Sequence, residues 1–284
     1  MTGLRIENLK LEIRTEDEVK PILKGVDLSV DAGTVQGLAG ESGSGKTMTG
    51  LAIIGLEPPT AITSGKIMLG DTDLLQITGS RLNTIRGNRV GMVFQDPSTS
   101  LHPQLSIGSQ LTDHVRYHLK ISKSEARDRA VGALERVGIT GGLATLSRYP
   151  HEFSGGQRQR IAIAIALACD PELVIMDEPT TALDVTVQAG VLELVRRLVD
   201  SLGLAVLFIS HDLGVMSAIA DDVAVMRHGV VVENGPSSQV FTNPHHEYTR
   251  ALLASLPGTT SGPQTKGDLV RLAEGSQDCE GGAS

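Results

Sequence analysis

The chain has 284 residues, 40% apolar and 20% charged, with 33 Asp and Glu against 25 Lys and Arg for a net charge of −8. That composition excludes wholesale disorder, and the length suffices for one large domain or two small ones around a buried core. The acidic balance argues against a broad basic surface for coating nucleic acid, and 4 Phe, 3 Tyr and no Trp are too few for base-stacking platforms.

The longest apolar run, Ile161–Cys169, has 9 residues, against the about 20 that a membrane-spanning helix needs. The N-terminus mixes charged and apolar residues and holds no secretory h-region, so a cytoplasmic chain is expected. Cys169 and Cys279 lie far apart and make neither a disulfide framework nor a metal site of short ligand spacing. Cys169 follows an Ile/Ala run and reads as a small buried apolar residue.

In chain order, Leu4, Ile6, Leu9, Leu11 and Ile13 alternate as half-buried strands do, and Ile22–Val30 resumes the alternation after an acidic turn at Glu16-Asp17-Glu18. Val35–Ala39 is a short apolar strand that runs into a glycine cluster. From Ser80 to about Cys169 the texture turns helical, interrupted by a strand at Val90–Phe94. Leu173–Met176 and Leu204–Ile209 are continuous apolar runs of the parallel-sheet kind. Between them Leu183, Val187, Val191, Val195, Leu198 and Leu202 form an amphipathic helix stopped by Gly203. Val223–Met226 and Val230–Val232 read as a hairpin through His228-Gly229. Residues 259–284 hold five Gly and little to bury, so a disordered tail is expected.

Gly40-Glu41-Ser42-Gly43-Ser44-Gly45-Lys46-Thr47 fits G-x-x-x-x-G-K-[ST] between a strand and a helix. Glycines let backbone N–H groups turn inward around a phosphate, and the helix start adds its dipole. Lys46 then reaches the β/γ-phosphates and the Thr47 hydroxyl ligates Mg²⁺. Leu173–Met176 ends in Asp177-Glu178, delivering two carboxylates to the sheet edge where ligands bind in such folds. Asp177 is placed to hold Mg²⁺ and Glu178 to orient and polarise an attacking water. Gln95 and His211 follow strands that finish at the same edge and suit a γ-phosphate sensor. Ser154-Gly155-Gly156-Gln157, ahead of a helix expected to start near Ile161, makes a second anion site that needs another chain to supply its ligand.

Gly40–Thr47, Gln95, Ser154–Gln157, Leu173–Glu178, Ala182-Leu183-Asp184 and His211 resemble, in that order, the Walker A, Q-loop, signature, Walker B, D-loop and H-loop of an ABC transporter ATP-binding subunit. The resemblance covers roughly residues 4–256. Phe94-Gln95-Asp96-Pro97, Arg158-Gln159-Arg160 and Asp177–Gln188 resemble the dipeptide/oligopeptide importers, as does Asn243-Pro244-His245-His246 leading to Tyr248–Leu253; nickel and glutathione importers share much of this wording.

The resemblance implies an α/β fold: a P-loop NTPase (RecA-like) core, an N-terminal antiparallel β subdomain and a helical insertion subdomain at about 97–169, within a nucleotide-binding domain of residues 1–258. It implies ATP and Mg²⁺ as ligands, Gln95 joining Thr47 and Asp177 at the metal, and Asp184 joining Ser154–Gln157 on nucleotide held by a second ATPase subunit. It further implies two transmembrane permeases, an extracytoplasmic solute-binding protein acting indirectly, no direct nucleic acid, and a peripheral position on the cytoplasmic face of the membrane. Two departures stand out. The position aligned with the family's adenine-facing aromatic is Ile13, beside Arg14, and Cys279 alone replaces a C-terminal cysteine cluster, so no iron–sulfur centre is expected. The solute stays open between peptide, nickel and another small molecule. A soluble ABC ATPase acting on nucleic acid or ribosomes is a distant alternative, and a P-loop kinase or GTPase leaves the signature, D-loop and H-loop idle.

Overall fold

A computed structural model describes residues 2–15, 18–96, 100–181 and 183–255. Strands β1 (Thr2–Arg14), β2 (Val19–Asp31), β4 (Ala61–Leu69) and β5 (Thr72–Asp73) form an antiparallel sheet in the order β2-β1-β4-β5. Strands β3 (Val35–Ala39), β6 (Val90–Val93), β7 (Leu173–Asp177), β8 (Ala205–Ile209), β9 (Asp222–Arg227) and β10 (Val230–Pro236) form a second sheet in the order β10-β9-β3-β8-β7-β6. All its neighbouring pairs are parallel except the β9–β10 hairpin, with Val90 opposite Leu173, Leu173 opposite Ala205 and Val35 opposite Val206. Parallel register carries the carboxyl ends of β3, β6, β7 and β8 to one edge.

The composition of each strand follows its surroundings. β3, β7 and β8 are buried along their whole length, as strands covered on both faces must be. In β2 Leu23, Val26, Leu28 and Val30 are buried and the residues between them open to solvent, the alternation of a sheet with one wet face. Leu4, Leu9, Leu11 and Leu23 meet Leu38, Ile175, Leu207 and Ile209 in a core between the sheets. On the opposite face Val35, Val174, Met176, Val206 and Phe208 pack under helices. Each such side chain contributes about 1.5–3 kcal/mol of burial.

Helix α1 (Lys46–Ile53) follows β3, and a short α2 (Ser80–Asn83) precedes β6. Between β6 and β7 stand α3 (Ile107–Leu119), α4 (Lys123–Arg136), α5 (Gly142–Leu146) and α6 (Gly155–Leu167). Serines cap three of them: Ser106, Ser122 and Ser154 each accept a first-turn N–H. Helix α6 therefore starts at Gly155 and not near Ile161. Two glycines look unfavourable for a helix, but Ser154 and Gln157 satisfy each other's backbone N–H groups in a capping box, and that outweighs them. Helix α7 (Val185–Leu202) buries Val191, Leu194, Val195, Leu198 and Val199 and ends at left-handed Gly203. Helices α8 (Leu213–Ile219), α9 (Ser237–Thr242) and α10 (Glu247–Ala254) complete the described chain. The expected boundary at 97 and the expected disordered tail, 259–284, lie outside the described residues. Among the described residues no helix is long and apolar enough to cross a membrane.

Candidate nucleotide site

Gly40–Thr47 joins the carboxyl end of β3 to the first turn of α1. Gly40 has φ +145 and a Cβ there would lie 2.2 Å from Met226 O, so only glycine fits. The helix has no side-chain cap, which leaves its first N–H groups without an internal acceptor. Lys46 is 5% exposed and donates from Nζ to Gly40 O at 2.7 Å and Glu41 O at 2.9 Å. Burial lowers its pKa, while Glu178, Asp177 and Glu41 pull it back up. Ser44 Oγ is buried with no partner, and orphaned hydroxyls of this kind mark places where a ligand oxygen belongs. A loop of inward donors, a buried ammonium and an orphaned hydroxyl fit a phosphate chain.

Thr47 Oγ1 donates to Asp177 Oδ1 at 3.1 Å. Burial pushes the Asp177 carboxyl up, Thr47 and Lys46 lower it, and neighbouring Glu178 raises it. Among the described residues no cluster of three or more His, Cys, Asp or Glu would hold a metal. A hydroxyl and one carboxylate suit Mg²⁺, which commonly completes its octahedron with phosphate oxygens and water.

Glu178 sits at φ +46, a left-handed backbone rare for such a residue, which costs about 1–3 kcal/mol and clusters at functional sites. Three side chains from the segments that follow β6, β7 and β8 hold its carboxylate. His211 Nδ1 lies 2.9 Å from Oε1, and Gln95 Nε2 and Thr181 Oγ1 donate to Oε2 at 3.0 and 3.1 Å. Gln95, placed by the resemblance at the metal, thus donates its amide to Glu178. Thr181 carries no role in the sequence reading; its signal was the Glu178-Pro179-Thr180-Thr181 turn, which returns a hydroxyl to the carboxylate three residues back.

The remaining site residues lie at the starts of two helices. Ser154 caps α6 and Gly155, Gly156 and Gln157 open it, with Gly155 facing Leu183 just before α7 and Gly156 facing Val187 in its first turn. Asp184 caps α7 through Val187 N–H at 3.0 Å. Ser154, Gln157 and Asp184 are exposed, and adjoining Val185 is 83% exposed. Ile13 is half-buried, pairs with Lys20 and packs into the inter-sheet core, with Arg14 exposed beside it.

The fold and the cradle define a P-loop nucleotide-binding protein. A family model described as ABC transporter matches residues 23–181, and one described as Oligopeptide/dipeptide transporter, C-terminal region matches residues 232–280. The chain is 48% identical over 258 residues to the oligopeptide transport ATP-binding protein AppD of Bacillus subtilis (strain 168), which covers 90% of this chain and 79% of that protein. It is 43% identical over 282 residues to OppD of the same organism, covering 96% and 79%. The cassette MJ0796, solved as a dimer in a post-hydrolysis state bound to ADP and Pi, superposes with a TM-score of 0.72 at 27% identity, over 82% of this chain and 98% of that one. The chain belongs to the ABC transporter family, as an ATP-binding cassette.

Proposed function

We propose that this cassette binds and hydrolyses ATP to power a membrane importer of di- or oligopeptides. The observation that carries the peptide reading is the match of residues 232–280 to the oligopeptide/dipeptide transporter C-terminal region, in one chain with the ABC match. Relatives named for oligopeptide transport support it at 43% and 48% identity.

In this reading Gly40–Thr47 wraps the phosphates, with Lys46 swinging from the loop carbonyls onto the β/γ oxygens. Thr47, Asp177 and the side-chain oxygen of Gln95 would hold Mg²⁺, which when bound neutralises charge developing on those oxygens. Glu178 orients the water that attacks the γ-phosphorus and accepts its proton. Its Oε2 takes two hydrogen bonds and Oε1 one, so acceptor capacity for that water remains on Oε1. His211 and Gln95 steady the carboxylate. Ser154–Gln157 and Asp184, with Ser154, Gln157 and Asp184 exposed, face nucleotide held by a second ATPase subunit, a copy or a sister. The γ-phosphate bridges the two and closes them, because the signature patch touches nucleotide only in the closed state.

The helices between β6 and β7, with the groove near Gln95, receive a permease helix, in a transporter of two permeases and two ATPase subunits on the cytoplasmic face of the membrane, with a solute-binding protein acting through the permeases and no direct nucleic acid. Co-purification from gently solubilised native membranes tests the reading. Recovery of two permeases and an ATPase partner is expected, and their absence, or recovery with ribosomes or DNA, refutes it.

A further inference from the structure

Helix α10, the last of the described helices, reaches the phosphate loop directly. Tyr248 is 7% exposed, and its Oη accepts from the backbone N–H of Glu41 at 3.3 Å. The Arg227 guanidinium stands over the tyrosine ring at 4.7 Å from its centre, fixing the ring's plane. The approach of α10 is fixed by Glu233, whose carboxylate accepts from His245 N–H at 2.7 Å and His246 N–H at 3.1 Å. Arg227 and Glu233 both belong to the β9–β10 hairpin, and that hairpin grips the other end of the loop. Gly229 N–H donates to Ser44 O at 2.9 Å. The loop is thus held from outside at Glu41 and at Ser44, on either side of Gly43.

An anion cradle binds well only if its donors are already aimed, and a glycine-rich loop is the backbone most prone to wander. Tyr248 takes the Glu41 N–H and so fixes the first turn of the loop. We infer that Tyr248 is a positioning residue of the phosphate loop, through which docking of α10 sets the affinity for nucleotide. This rests on the nucleotide reading above. The coupling is reciprocal: nucleotide that orders the loop must also hold α10 in place.

The test uses the whole 284-residue chain and MgADP, which fills the cradle without the γ-phosphate that draws two subunits together. Calorimetric titration of wild type, Tyr248→Phe and Lys46→Ala is joined to amide exchange of α10 with and without MgADP. Loss of the one hydroxyl is expected to weaken MgADP about fivefold, with the ring and its Arg227 contact kept and the nucleotide-free melting temperature lowered by no more than about 4 °C. The importer should show a raised KM for ATP at unchanged kcat, a split that a merely structural loss would not produce. MgADP should slow exchange of α10 in wild type and do so less in Tyr248→Phe. Wild-type affinity in the phenylalanine variant overturns the inference while leaving the nucleotide reading intact. No MgADP binding by wild type, or equal binding by Lys46→Ala, overturns the nucleotide reading itself. If Tyr248→Phe fails to fold, the wild type decides alone: α10 exchange indifferent to MgADP overturns the inference.

Discussion

Gly156→Ala places one methyl where the signature helix meets the next. A Cβ at Gly156 would lie 2.4 Å from Val187 Cγ1, but 3.7 Å from Val187 Cβ. Carbon atoms settle at about 3.5–4.0 Å, so the first contact is more than about 1 Å too short. Valine in a helix has essentially one χ1 rotamer and cannot turn aside cheaply, so α6 and α7 must separate. Overpacking of this size costs about 1–3 kcal/mol, which for a domain of this length lowers the melting temperature by about 3–10 °C. Val187→Ala removes the offending methyl and leaves an ordinary contact. Val187 is only half-buried, so that change alone costs under about 1 kcal/mol. The double variant should recover the loss, with a favourable coupling of about 1–3 kcal/mol in the cycle. Thermal unfolding of the four proteins measures it. Since Ser154 caps α6 and Asp184 caps α7, ATP turnover by the assembled importer should fall in the single variant and return in the double. An unperturbed single variant, or strictly additive effects, would refute the packing argument.

Burial holds the Asp177 carboxyl above its ordinary value of 3.8. A raised folded-state pKa favours the folded form while the group is protonated and penalises it once ionised, so this contribution is lost as pH rises through the folded pKa. At neutral pH Asp177→Asn should therefore raise the melting temperature of the nucleotide-free protein by about 2–4 °C and abolish the extra stabilisation by MgATP. Burial also pushes the Cys169 thiol up to about 11. In a Cys279→Ser background, the folded protein should show no rapid thiol modification at mildly alkaline pH and one equivalent after denaturation. Thr181→Ala removes one donor from Glu178 and should lower kcat about fivefold with nucleotide affinity kept; an unchanged kcat makes the hydroxyl incidental.

The parallel sheet was legible because strands buried on both faces are written as unbroken apolar runs, as in Leu173–Met176 and Ala205–Ile209. The cradle was legible because its chemistry needs glycines at fixed spacing before a lysine. Both are local facts. Helix α6 was read late because glycine propensity argues against a start at Gly155 and only the reciprocal bonding of Ser154 and Gln157 overrides it. The direction of Gln95, the grip of Thr181 on Glu178 and the reach of Tyr248 to Glu41 join positions far apart in sequence or across a turn. Such contacts are set by tertiary packing, and no spacing rule announces them.

ATP turnover by the importer carrying Glu178→Gln tests the central claim most directly. The amide keeps the size of the carboxylate and one oxygen to accept from Gln95 and Thr181, but it cannot accept the water's proton, so turnover should fall by at least about 100-fold while ATP stays bound. Turnover at the wild-type rate would contradict the assignment of Glu178 as the base and, with it, the chemistry derived from this site.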